Sequence, residues 1–199
     1  MIKLFVGAVL ATIWIFLLRV MRKADLKFWR YVLGSAGLFV IGIIYMMPIL
    51  TEPLARLVAL LAAIPGKLFD LYSVYYKHSL IMIESKSGVV SLKIDFECSG
   101  IIEILAFVAL LFFYDIYSVW EKTWVVVSGV LYIMIANALR ITVIALMIYH
   151  GGISMYYIAH TFVGRLVFYG LSILLYFYAF TRPHIKKQRV GTFKYDVDK

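Results

Sequence analysis

The chain has 199 residues, 64% of them hydrophobic and 17% aromatic, with only 16% charged and a mean hydropathy of +0.93. Too little polar surface remains to cover a soluble globule, and apolar runs of about 20 residues predict an all-α polytopic membrane protein. The formal net charge of +9 does not point to nucleic acid, because the basic residues cluster just outside apolar runs, where they orient helices and meet anionic headgroups.

Leu4–Leu18 is the first expected span, short but bracketed by Lys3 and Arg19, which can snorkel to the two interfaces. A signal peptide is the competing reading. No small-residue cleavage pattern follows it, and five basic residues lie between Arg19 and Arg30, so a retained helix is expected. Residues 31–50 form the second span. Pro48, Pro53 and Pro65-Gly66 then break up the chain, and Glu52, Arg56, Lys67 and Asp70 interrupt it. Leu54–Ile64 alone is too short to cross a hydrocarbon core of ~30 Å, so residues 53–72 read as an interfacial or re-entrant helix. Residues 79–95 change to a β-rich period around the turn chemistry of Glu84–Gly88, which predicts a small extracellular β-hairpin.

Residues 101–117, 123–149 and 161–181 are the remaining expected spans, with Gly151-Gly152 separating the last two. That makes about five transmembrane helices in a single integral membrane domain, 1–182, followed by a basic cytoplasmic tail, 183–199. The charge bias places the Arg19–Arg30 loop, the "DIYSVWEK" connection and the tail inside, and the N-terminus outside. Lys3 weighs mildly the other way.

With this topology, Cys98 starts one span at the outer face, Arg140 lies near the outer end of the next, and His160 opens the last. Cys98 is the single cysteine, which excludes an intramolecular disulfide and argues against a thiolate metal site; no metal or cofactor is expected. A thiol beside an imidazole is the usual way to make a nucleophile at neutral pH, and a neighbouring cation lowers the thiol pKa. His160 is the candidate base, and Arg140 the candidate donor to a developing oxyanion. An arginine in a membrane helix is costly enough to be a functional hypothesis by default. Asn137, three residues earlier on the same face, is placed to orient Arg140 or the histidine. Glu103 reads as a partner for Arg140, and Glu97 as an interfacial or helix-start charge. Arg165 suits a substrate carboxylate or a headgroup. His150 is the second candidate base, whereas His78 lies in a polar outer stretch and His184 at the inner end. Each residue also has a plainer role: small apolar filler for Cys98, snorkelling for Arg140, an interfacial cap for His160. The aromatics at 156–157 and 168–178 read as belt and packing residues.

"ECSGI" at 97–101, "NALRI" at 137–141 and the histidine of "AHTFVGRLVFYG" at 159–170 resemble the three signature blocks of the exosortase/archaeosortase family. With fewer spans than the larger members, the chain resembles the compact Gram-positive exosortase G type. The resemblance implies a membrane cysteine transpeptidase or protease of the bacterial plasma membrane, with Cys98, Arg140 and His160 as its catalytic residues. It also implies a secreted protein substrate ending in a short motif, a transmembrane helix and a basic tail. Such a substrate would be cut at the outer face via a thioester, and the product passed to a lipid or glycan acceptor or to water. A non-catalytic membrane scaffold for envelope glycan assembly or export is the alternative. A small transporter fits less well, because the charges gather at one face and not at the midplane.

Overall fold

The computed structural model describes residues 2–69, 71–85 and 88–187. Helix α1 (Ile2–Lys23) packs antiparallel on α2 (Lys27–Tyr45), where Trp14 donates its indole N–H to the Leu33 carbonyl at 2.9 Å. After one intervening residue, α3 (Met47–Phe69) begins. A three-stranded antiparallel sheet follows, in the order β1 (Ser73–Tyr75), β2 (Leu80–Ser85), β3 (Gly88–Lys93). Then come α4 (Ile101–Phe112), α5 (Val119–Gly151) and the rod α6 (Ile153–Ile185). Helix α6 is α-helical over Gly164–Tyr176 and widens into π-helix at Ile158–Val163 and at Phe177–Thr181.

Among the described residues, α2, α3, α5 and α6 are long and apolar enough to cross a membrane, and the chain is a multi-pass membrane protein. This set differs from the expected spans in three places: α1, which holds the expected first span 4–18, is not in it, α3 is, and α4 is not. Residues 53–69 of the expected segment 53–72 belong to one continuous 23-residue helix, Met47–Phe69, although Pro53 and Pro65 lie inside it. An interior proline costs ~3 kcal/mol, but the stripe Ala55, Val58, Ala59, Ala62 and Gly66 is buried against α5 and the sheet, and that packing outweighs the local preference. Conversely, the expected span 101–117 is helical only over the 12 residues Ile101–Phe112, about 18 Å of rise. The chain turns there because Ser118 starts the next helix: its hydroxyl accepts from the Glu121 N–H while the Glu121 carboxylate accepts from the Ser118 N–H. That capping box moves the start of α5 ahead of Thr123. The expected hairpin is β2 and β3, paired from Leu80↔Lys93 to Ser85↔Gly88, with β1 added on its other side. Helix continues past residue 181 to Lys187; the rest of the expected tail lies outside the described residues.

Two packed regions hold the helices. One, at the end of the bundle that carries Asp115, is aromatic: Phe107, Leu111, Ile133, Phe168 and Ala179, with Tyr176 and Phe180 edge-on to Phe107. There Arg30 pairs with Asp115 across α2 and the α4–α5 turn. The other is built of small and branched residues, Ala55, Ala59 and Ala62 of α3 against Ala138, Ile141, Ala145 and Ile148 of α5, and is roofed by Ile81, Ile83, Val90 and Leu92 of the sheet. Tyr72 fastens it by donating to the Ala62 carbonyl at 2.7 Å and lying 3.2 Å from the Thr142 hydroxyl.

Candidate active site

The segment from β3 to α4 is shaped by its own side chains. The Ile94 N–H donates to the Ser79 carbonyl, which closes the foot of the sheet. Asp95 then turns the chain, its carboxylate accepting from the Glu97 N–H at 3.0 Å and the Cys98 N–H at 3.3 Å. This is an Asx turn, the local bonding that Asp favours in loops. Ser99 donates to the Phe96 carbonyl at 3.0 Å. Gly100 enters α4 at φ +76°, a left-handed conformation that favours glycine. A Cβ there would also meet the Asn137 Nδ2 at 2.5 Å.

Cys98 is buried, and its Sγ lies 3.5 Å from His160 Nε2. The imidazole is placed by the π turn Ile158–Val163 of α6 and stacks on Tyr156, one turn earlier, with ring centroids 5.7 Å apart and 6° between the planes. Arg140 is buried on α5. Its Nη1 donates to the Glu97 carbonyl at 3.3 Å, and its Cζ stands 5.8 Å from the centre of the Phe168 ring. Glu97 therefore meets two arginines, since its carboxylate pairs with Arg165 at 3.6 Å. The expected Glu103–Arg140 pair is not formed. Among the described residues Glu103 enters no ion pair, because the backbone carbonyl of Glu97 takes the guanidinium instead. Asn137 is buried against Gly100, with no hydrogen bond to Arg140 or His160 among the described residues.

The electrostatics also differ from expectation. A neighbouring cation was expected to lower the thiol pKa. Burial instead dominates and pushes the Cys98 thiol up to about 11; Arg140 opposes this, while Asp95, Glu97 and Glu103 add to it. Burial thus favours the protonated thiol over a preformed thiolate–imidazolium pair.

The other candidates fall elsewhere. His150 ends α5, exposed, edge-on to Tyr149. His78 lines a cavity of about 550 Å3 between the start of α3 and the foot of the sheet, with Glu52, Lys77, Lys93 and Asp95. His184 sits at the far end of α6. Sequence reasoning missed three contributors. Asp95 was visible as an acid just after a strand, and Tyr156 as the residue four before His160. Phe168 carried no signal to separate it from its neighbours.

Depth follows from helix rise. From Glu121 to Arg140 along α5 the rise is about 28 Å, and from His160 to Arg182 along α6 about 33 Å, at ~1.5 Å per residue. Both match one hydrocarbon thickness of ~30 Å. Cys98, Arg140 and His160 thus stand about one membrane width from the end marked by Arg30, Asp115, Glu121 and Arg182.

A multi-pass helical membrane protein that brings a buried thiol to an imidazole at one end of its bundle belongs to a narrow class. The profile of the transmembrane exosortases matches residues 2–178, and the chain belongs to that family. No curated protein and no solved structure matches it.

Proposed function

We propose that the chain is a membrane-embedded cysteine transpeptidase or protease. It cuts the C-terminal sorting signal of secreted proteins at the outer face of the bacterial plasma membrane, and passes the product to an amine on an envelope lipid or glycan, or to water. The observation that carries this reading is the 3.5 Å approach of Cys98 Sγ to His160 Nε2, in a chain of exosortase membership. In this reading α1, α2, α4, α5 and α6 cross the membrane with the C-terminus inside. The sheet, α3 and the distal end of α5 then form an outer cap over the site.

The chemistry follows from the protonated resting thiol. As the scissile carbonyl reaches Sγ, the thiol proton moves to His160 Nε2 while the S–C bond forms, so no free thiolate is needed. The carbonyl oxygen becomes an oxyanion beside the fixed charge of Arg140, whose planar fork stays protonated. The tetrahedral species collapses with the C–N bond breaking, and the leaving amine takes the proton from His160. A thioester on Cys98 remains. An acceptor amine or water then gives a proton to His160 as it attacks the thioester carbonyl, and Cys98 leaves with that proton restored. Glu97 and Arg165 hold the loop and α6 together at the site. Asn137 supports Gly100 behind the nucleophile.

The test pairs the chain with a secreted protein encoded beside it that ends in motif, helix and basic tail. Cys98→Ala and His160→Ala leave that anchor uncut while both variants accumulate in the membrane. Normal cutting by Cys98→Ala would end the proposal.

A further inference from the structure

The sheet has two unlike edges. β1, at one side, lies against α3 and is only three residues long. β2, in the middle, lies against α5. β3 is the other outer strand and pairs with β2 alone, in unbroken register from Gly88 to Lys93. In an antiparallel pair the backbone groups of successive residues point alternately toward the partner and away from it. The Ile94 N–H donates to Ser79, on the β2 side, which fixes the phase. Val90 and Leu92 therefore face β2 with their backbone groups, and Val89, Ser91 and Lys93 point theirs outward.

Those three residues carry three N–H and three C=O groups with no strand beside them among the described residues. Their side chains are exposed, whereas Val90 and Leu92 are buried beneath the sheet. Exposed edges of this kind are templates for pairing, and proteins usually blunt them with proline, a bulge or a covering element. β3 has no proline and no bulge, and a single charge, Lys93, at its last residue. The strand also leads straight to the thiol. Five residues after Lys93, past the Asp95 turn, comes Cys98.

We infer that the free edge of β3 binds the cleavage segment of the substrate as an added parallel strand. This inference rests on the function proposed above. A polypeptide tethered by a C-terminal membrane helix approaches from outside and runs toward the bilayer, which is the direction in which β3 runs toward Cys98. Pairing through Val89, Ser91 and Lys93 covers about 13 Å, a reach of four to five substrate residues at ~3.3 Å each. Backbone pairing supplies affinity independent of sequence and holds the peptide extended, the form in which a scissile carbonyl is accessible to a nucleophile. The partner strand leaves the edge where Asp95 turns the enzyme's own chain aside. The substrate thus continues toward Cys98 while β3 does not.

Proline gives a direct test, because it removes one N–H and leaves the strand otherwise able to stay extended. In Ser91→Pro the lost N–H points away from β2, so the sheet is expected to survive; Ser91→Ala is the control. The probe is a fluorescent peptide spanning the motif, helix and basic tail of the neighbouring secreted protein, presented in detergent micelles. Its affinity is measured in the Cys98→Ala background, where cutting cannot interfere. Ser91→Pro is expected to weaken binding at least tenfold, with the melting temperature unchanged and Ser91→Ala binding normally. A probe N-methylated at the edge-facing positions is expected to lose the same affinity to the unaltered edge, which keeps the test decisive if Ser91→Pro misfolds. Equal binding by Ser91→Pro and by the N-methylated probe would overturn the inference and leave the proposed function standing. Continued cutting by Cys98→Ala would remove that function and not touch the binding result.

Discussion

Helix α6 contains two π turns, and they serve opposite ends. At the inner turn, Phe177–Thr181, the widened backbone is clasped: Tyr117 donates to the Ala179 carbonyl at 2.8 Å and Tyr114 to the Phe180 carbonyl at 2.7 Å. At the outer turn, Ile158–Val163, no such clasp occurs among the described residues. The turn presents His160 to Cys98. The same local distortion, one extra residue per turn, is used once for packing and once to aim a side chain. A π turn is therefore not a site by itself. What separates the two is what the neighbours offer: hydroxyls that satisfy backbone carbonyls in one case, and a thiol in the other. The surrounding cores follow suit. The inner one is aromatic, with the hydroxyls of Tyr114, Tyr117 and Tyr132 bonded to backbone carbonyls, whereas the outer one keeps Asn137 and the Arg140 Nε buried without partners among the described residues.

If that division holds, the two ends should fail differently. The largest effect is expected at the outer turn. Replacing His160 by Ala should slow cutting by about 10²–10⁴-fold, the usual worth of a positioned acid–base group, and should leave the melting temperature in detergent within a degree or two. A Tyr117→Phe variant assayed beside it should show the reverse pattern. A His160→Ala protein that cuts at full rate, or that loses its fold, would erase the distinction.

Next in size is the pH response of the thiol. With its pKa pushed up to about 11, Cys98 holds its proton throughout the neutral range, and the thiolate fraction rises tenfold for each pH unit until the pKa is reached. Alkylation of Cys98 by a small reagent should therefore be slow at pH 7 and climb through pH 9–10. Arg140 favours the thiolate, so Arg140→Gln should move this profile to still higher pH. A fast reaction at pH 7 would show that the pair rests as thiolate and imidazolium after all.

Gly100→Ala should come third. The new methyl is strained at φ +76° and meets Asn137, so one of them must shift at the start of α4. Such backbone strain costs of order 1–3 kcal/mol. Because Gly100 lies two residues after Cys98, the loss should appear both in thermal stability and in the cutting rate. Asn137→Ala in the same chain should restore part of the stability by opening that space. Failure of this rescue would mean that φ alone sets the cost.

How much of this was legible beforehand depended on which force decides each feature. The long apolar runs of α2, α5 and α6 announce themselves, because composition alone requires burial or lipid. Arg140 and His160 were visible because a lone potent group in an apolar helix needs a reason, and the structure does bring His160 to Cys98. The full length of helix α3 was not legible because proline rules are local, whereas the alanine stripe that overrides them matters only once α5 lies alongside. The three residues of β1 are too few for any periodicity. The Glu103–Arg140 pair failed for a related reason: charge matching considers side chains, and the winning acceptor was a backbone carbonyl, placed by the Asp95 turn. The thiol pKa was missed because burial, invisible in sequence, outweighs the nearby arginine.

The smallest effect tests the clasp at the inner turn. Tyr117→Phe removes one hydroxyl and leaves the buried Ala179 carbonyl without that donor. A hydrogen bond of this type contributes about 0.5–1.5 kcal/mol. Tyr114 still holds the neighbouring carbonyl of Phe180, so the turn should persist and only its stability should drop. The expected result is a melting temperature lowered by a few degrees in detergent, with cutting unchanged and the Cys98 alkylation profile superimposable on the unaltered protein's. If instead the alkylation profile moves, strain at one π turn is being transmitted along α6 to the other. The two turns would then be coupled parts of one device, not independent uses of the same bend.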